Sequence, residues 1–111
     1  MERRIKVWLE HIKLSIEDIN EFISPDPDYT TFLNDKKTQA AVERCIEIIG
    51  EAMNRVLDKH PDIPITDSRR IVDTRNRIAH DYEDVTPVIL WDIIKNHLPL
   101  LYKEVLEFLS G

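Results

Sequence analysis

Two glycines in 111 residues, against an average usage near 7%, leave few positions for tight turns. That shortage excludes a β-rich fold and calls for long helices. Cysteine is scarcer still. Cys45 stands alone, so no internal disulfide can form, and the chain suits a reducing cytosol. Its setting, "AAVERCIEIIG", is that of an ordinary packed residue and not of a reactive thiol. Long apolar runs are missing: nothing approaches the roughly 20 residues of a membrane span. The leading "MERRIKVWLEHIKLSIEDI" starts basic but has no continuous apolar stretch, so it does not read as a signal peptide. Metal signatures are missing as well, with neither HExxH nor CxxC. His11, His60 and His97 fall in separate segments without ligand spacing. No glycine-rich phosphate loop occurs. Metal enzymes and mononucleotide enzymes of the standard types are therefore set aside. The net charge of −6 argues against a protein that coats nucleic acid non-specifically, while leaving room for a small basic cleft.

What is present is an ordinary globular composition, 42% hydrophobic and 32% charged, sized for one domain over residues 1–111 with one core. From Ile5, the apolar positions Trp8, Leu9, Ile12, Ile16, Ile19, Phe22 and Ile23 step by threes and fours, which predicts an amphipathic helix. "SPDPD", residues 24–28, stops it. Thr30 or Thr31 is the expected cap of a short turn through Phe32 and Leu33. Asp35 is the expected N-cap of the longest helix. The apolar face of that helix, from Ala41 through Leu57, is wider than one neighbour requires. It is either central or shared with another subunit. Gly50, at mid-helix, costs about 1 kcal/mol relative to alanine and points to a close helix approach, within the subunit or across a dimer. "HPDIPITDS", residues 60–68, leads to Thr66 or Asp67 as the next cap, and Thr86–Pro87 opens the final helical region. Pro99 should kink or break that region. The expected fold is all-α, a compact up-down bundle of four to five helices.

One residue disturbs the pattern. Arg75 lies four after Ile71 and three before Ile78, on the stripe that should face the core. A guanidinium there needs a charged partner, a ligand or a wet cleft. Asn76 and His80 are four apart and share a helix face, with Tyr82 just beyond the expected helix end. On spacing alone, the ordinary reading of such an Arg and His is a satisfied structural pair. The ordinary reading of Tyr82 is a packed aromatic, and that of the carboxylates in "DYEDV" a solvated turn.

The sequence "RNRIAHDY" nevertheless carries Arg-x4-His-x-Tyr, with Arg75, His80 and Tyr82 in register and Asn76 as the polar residue after the arginine. Together with "TQAAVERCIEIIGEAMNRV", its Gly50–Glu51 pair and "IPITDSRRIVDTRNRIAHDY", the chain resembles the HepT-like members of the HEPN superfamily, small helical ribonuclease toxins of prokaryotes, over nearly its whole length. The resemblance implies a homodimer through the motif helix and the long helix, with both arginines and both histidines lining one cleft. It implies metal-independent RNA cleavage in which His80 acts as acid or base, Arg75 stabilises charge and Asn76 positions the substrate. It also implies a cytoplasmic protein whose partner is a minimal nucleotidyltransferase antitoxin that transfers AMP onto Tyr82. ATP and magnesium would be that partner's needs; none is expected for this chain. No role follows from spacing for Glu51 or Glu83. Two other functions are compatible with the same residues. One is a HEPN module that grips a nucleotide or partner without cleaving. The other is a helical subunit that supports the nucleotidyltransferase.

Overall fold

Asp35 illustrates how local chemistry sets the frame. Its carboxylate accepts the Thr38 backbone N–H at 3.0 Å and the Thr38 hydroxyl at 2.6 Å, which satisfies a donor that helix geometry leaves orphaned. From there the longest helix runs without interruption. In the computed structural model, which describes residues 2–23, 25, 27–80 and 86–111 (backbone only for 79 and 80), six helices follow in order. They are α1 (Arg3–Ile23), α2 (Tyr29–Leu33), α3 (Lys36–Lys59), α4 (Ser68–His80), α5 (Pro87–Asn96) and α6 (Leu98–Ser110). No strand occurs among the described residues.

The architecture is the all-α bundle expected, with two more precise divisions. The short turn after "SPDPD" is a separate helix, α2, and its cap is Asp28, not Thr30 or Thr31. The Asp28 carboxylate accepts both the N–H and the hydroxyl of Thr31. The region after Thr86 is two helices. Thr86 caps α5 ahead of Pro87, and the chain breaks at His97, with Pro99 in the first turn of α6, where its missing N–H costs nothing.

Helix α3 is the centre. It runs against α1 along one side and α4 along the other, with α2 and α5 completing its surround. Val42, Ile46, Ile49, Met53 and Val56 are fully buried against Leu9, Ile12, Ile16 and Ile19 of α1 and against Ile71 and Ile78 of α4. Most of the wide apolar face of α3 is therefore covered within the subunit, with Ala41 and Ile48 left partly exposed. Cys45 belongs to this core, and burial pushes its thiol pKa up, as befits a packed residue. The connection before α4 is tied down from a distance. Ile63 and Ile65 are buried, and the Thr66 N–H donates to the Glu104 carboxylate of α6 at 3.0 Å. Asp67, in the left-handed region at φ 61°, sits directly before α4, where its carbonyl accepts the Ile71 N–H. Its carboxylate turns to His97, whose other ring nitrogen faces Asp92, both at 3.3 Å.

The α1–α6 contact carries a polar link, the Tyr102 hydroxyl donating to Glu17 at 2.6 Å. That bond, with Lys13 beside it, holds the Glu17 carboxyl below the usual carboxylate range, and the Thr38 bonds do the same for Asp35. A carboxylate depressed in the folded state stabilises above its unfolded pKa, and the contribution is lost as pH falls through the folded value. Stability should therefore decline below about pH 4.5. Tyr102→Phe should flatten part of that decline, read as melting temperature against pH. Parallel curves for the two proteins would remove Tyr102 from the explanation.

Candidate functional site

The sequence problem posed by Arg75 has a steric answer. The central α3 carries Gly50 where α4 crosses it, and the space a methyl group would fill there is taken by the Arg75 side chain. An added Cβ would overlap Arg75 Cβ, stand 2.8 Å from its Cγ and lie 3.1 Å from the Ile71 carbonyl oxygen. Arg75 thus rests its aliphatic stem on bare backbone of the same chain. The stem stays on the buried stripe and the guanidinium reaches its edge, which is how long cationic side chains reconcile the two halves of their chemistry. The close approach that Gly50 signals is this contact between α3 and α4.

At the edge the guanidinium is held, not free. Arg75 Nη1 donates to Asn76 Oδ1 at 2.9 Å, and Nη2 lies 3.5 Å from Glu51 Oε2. The other oxygen of Glu51 accepts from Arg55 at 3.1 Å, so one carboxylate bridges two arginines. The Arg75 side chain remains 30% exposed and Glu51 51%. Pairs so wet are worth about 0–1 kcal/mol. They orient the fork without neutralising it for a stronger anion. Arg75 opens on a hollow of about 430 Å³ shared with Trp8, Arg55 and Lys59.

Of the residues singled out in the sequence, the structure brings Gly50, Arg75 and Asn76 together, and adds Glu51, to which no role had been given. The signal for Glu51 was present only as its place beside the glycine. Its partner Arg75 lies far along the chain, so no periodicity links them. His80 closes α4 five residues after Arg75, and its side chain lies outside the described residues. Tyr82 and Glu83 also fall outside them. Among the described residues no group of three or more His, Cys, Asp or Glu side chains gathers around a metal position, and no helix is long and apolar enough to cross a membrane.

An all-α bundle presenting an arginine at the edge of its motif helix, seated on a glycine of its longest helix, matches one class of protein. The model of the ribonuclease HepT-like family matches residues 12–108. The chain belongs to that family. Among its relatives is "Probable ribonuclease HepT" of Thermococcus cleftensis, 39% identical over 91% of this chain and 92% of that one. Two candidate RNases of Methanocaldococcus jannaschii are 37% and 33% identical. They cover 94% and 98% of this chain, and the matches span 95% and 90% of their own lengths. No solved structure matches the chain.

Proposed function

We propose that this chain is the toxin of a HEPN–nucleotidyltransferase pair, a metal-independent endoribonuclease that works as a homodimer. The observation that carries the proposal is Arg75: a guanidinium fixed by Gly50, Glu51 and Asn76, on a side chain 30% exposed, one helical turn and a half ahead of His80 in a member of the ribonuclease HepT-like family. In the reaction, the ribose 2′-oxygen attacks the adjacent phosphorus while His80 takes its proton. The bond to the 5′-oxygen breaks, and that oxygen receives a proton from a second imidazole across the dimer cleft. A 2′,3′-cyclic phosphate and a free 5′-hydroxyl result. Imidazole suits both halves because it ordinarily titrates near ~6.5. Arg75 faces the charge that accumulates on the phosphorane, for which its planar fork is shaped. Asn76 keeps that fork in place. The chain needs no cofactor for these steps.

The partner is a minimal nucleotidyltransferase that moves AMP from ATP onto the Tyr82 hydroxyl, with magnesium bound by the transferase. The added phosphate, two residues from His80, competes with the RNA phosphate for the same cations. A single experiment tests enzyme and partner together. An RNA oligonucleotide that the wild type cuts is compared with the same strand carrying 2′-deoxyribose at the cleavage position. The cut should disappear with the hydroxyl. Pretreatment with the nucleotidyltransferase and ATP–magnesium should silence the wild type and spare Tyr82→Phe. Cleavage of the deoxy strand would overturn the 2′-oxygen mechanism, and silencing of Tyr82→Phe would move the modification elsewhere.

A further inference from the structure

The hollow beside Arg75 does not end at α4. It shares Trp8 and Arg55 with a neighbour of about 300 Å³ that reaches His11 and Arg44, and with another of about 370 Å³ that reaches Arg3 and Arg4. Because the same two side chains wall all three, these are chambers of one groove along α1 and α3. Helical spacing builds it: Arg4, Trp8 and His11 fall on one face of α1, and Arg44, Ile48, Glu51 and Arg55 on one face of α3. Arg44 to Arg55 spans about 16 Å of helix axis, longer than one phosphate needs.

Its charge runs against that of the molecule. In a chain of net charge −6, the groove gathers Arg3, Arg4, Arg44, Arg55, Lys59 and Arg75 against the carboxylates of Glu51 and Asp58. The ion pairs its arginines make, Arg55 with Glu51 at 3.1 Å, Arg75 with Glu51 at 3.5 Å and Arg44 with Glu47 at 3.7 Å, are solvent-accessible and weak, so a polyanion can displace them. Where the chambers meet stands Trp8, packed on the core and only partly buried. An aromatic face set among cations is the arrangement by which proteins hold single-stranded nucleic acid, stacking for the base and charge for the backbone.

We infer that this groove is a binding subsite for single-stranded RNA flanking the scissile phosphate, with a base stacked on Trp8 and backbone phosphates on Arg55 and Arg4. The inference rests on the ribonuclease reading, because the Arg75 chamber is what joins the groove to the cut.

The test uses Trp91→Phe, which leaves Trp8 as the sole tryptophan, and a labelled 2′-O-methyl oligouridylate of about ten nucleotides, whose blocked 2′-oxygen prevents cleavage. Trp8 emission should be quenched as the strand binds. Trp8→Leu, helical by circular dichroism, should bind about tenfold more weakly by anisotropy. Arg55→Gln should lower the slope of log affinity against log salt by about one. Equal binding by Trp8→Leu and Arg55→Gln without quenching in the parent overturns the subsite and leaves the ribonuclease reading standing. Trp8 emission that follows protein concentration and ignores the strand assigns the face to a second copy and overturns it too. Absence of both strand binding and cleavage of unmodified RNA removes the two readings together.

Discussion

Arg75→Ala should lower single-turnover RNA cleavage by about 10²–10³, the usual consequence of removing one fixed donor to a transition-state oxyanion, while the fold survives. The two effects separate because the residue is bipartite. Alanine keeps the Cβ that packs on Gly50, and the ion pair with Glu51, half exposed at 3.5 Å, contributes only about 0–1 kcal/mol. Arg75→Lys should recover part of the rate. It keeps the charge but cannot donate as a fork to Asn76 and a phosphate at once. Cleavage by Arg75→Ala within a few-fold of wild type, at equal melting temperature, would make the arginine a structural residue and nothing more.

Gly50→Ala makes the complementary prediction, in which a surface function is lost through a buried contact. Two terms oppose each other. Alanine in a helix interior gains about 1 kcal/mol over glycine. The new methyl, however, overlaps Arg75 Cβ and presses on the Ile71 carbonyl. These atoms are fixed to the α4 backbone and cannot swing aside. Overpacking of this kind costs typically ~1–3 kcal/mol, so the net effect should be destabilising by about 1 kcal/mol, or ~4–8 °C in a domain of this size. The displaced α4 also carries Arg75 away from Glu51, so activity should fall further than stability alone explains. A double-mutant cycle isolates the cause. Against Arg75→Gly, which removes the opposing Cβ, Gly50→Ala should cost little or even stabilise. Equal costs in both backgrounds would place the function of Gly50 elsewhere, for instance at a dimer contact.

These predictions rest on features of unequal visibility in the sequence. Helices α1 and α3 were legible because Ile5 to Ile23 and Ala41 to Leu57 keep strict helical spacing, and Asp35 and Thr86–Pro87 mark the starts of α3 and α5 chemically. The cap of α2 was misplaced because "SPDPDYTT" offers several capping residues within one turn, and only the final backbone path selects Asp28. Thr66 was a sound candidate cap by local rules. The alternative, Asp67, takes the place directly before α4, while Thr66 is drawn to Glu104 on the last helix, a partner no local pattern could name. The candidate site divides in the same way. Arg75 announced itself by interrupting an apolar stripe and Gly50 by costing a long helix stability, but that the two answer each other is a tertiary fact. The role of Glu51 arises where α4 crosses α3 and the groove around Trp8 where α1 runs beside α3, and periodicity along one helix cannot see across to the next.

The most direct measurement is the chemistry of the cut ends. Purified protein, shown by intact mass to be unmodified, is incubated with cellular RNA in EDTA beside His80→Ala and Arg75→Ala, and the termini are identified. Cleavage by the wild type alone, leaving 2′,3′-cyclic phosphates and 5′-hydroxyls, is the predicted result. Intact RNA in every lane, or 3′-hydroxyl ends from the wild type, would contradict it and turn Arg75 from a catalyst into a grip on some other anion.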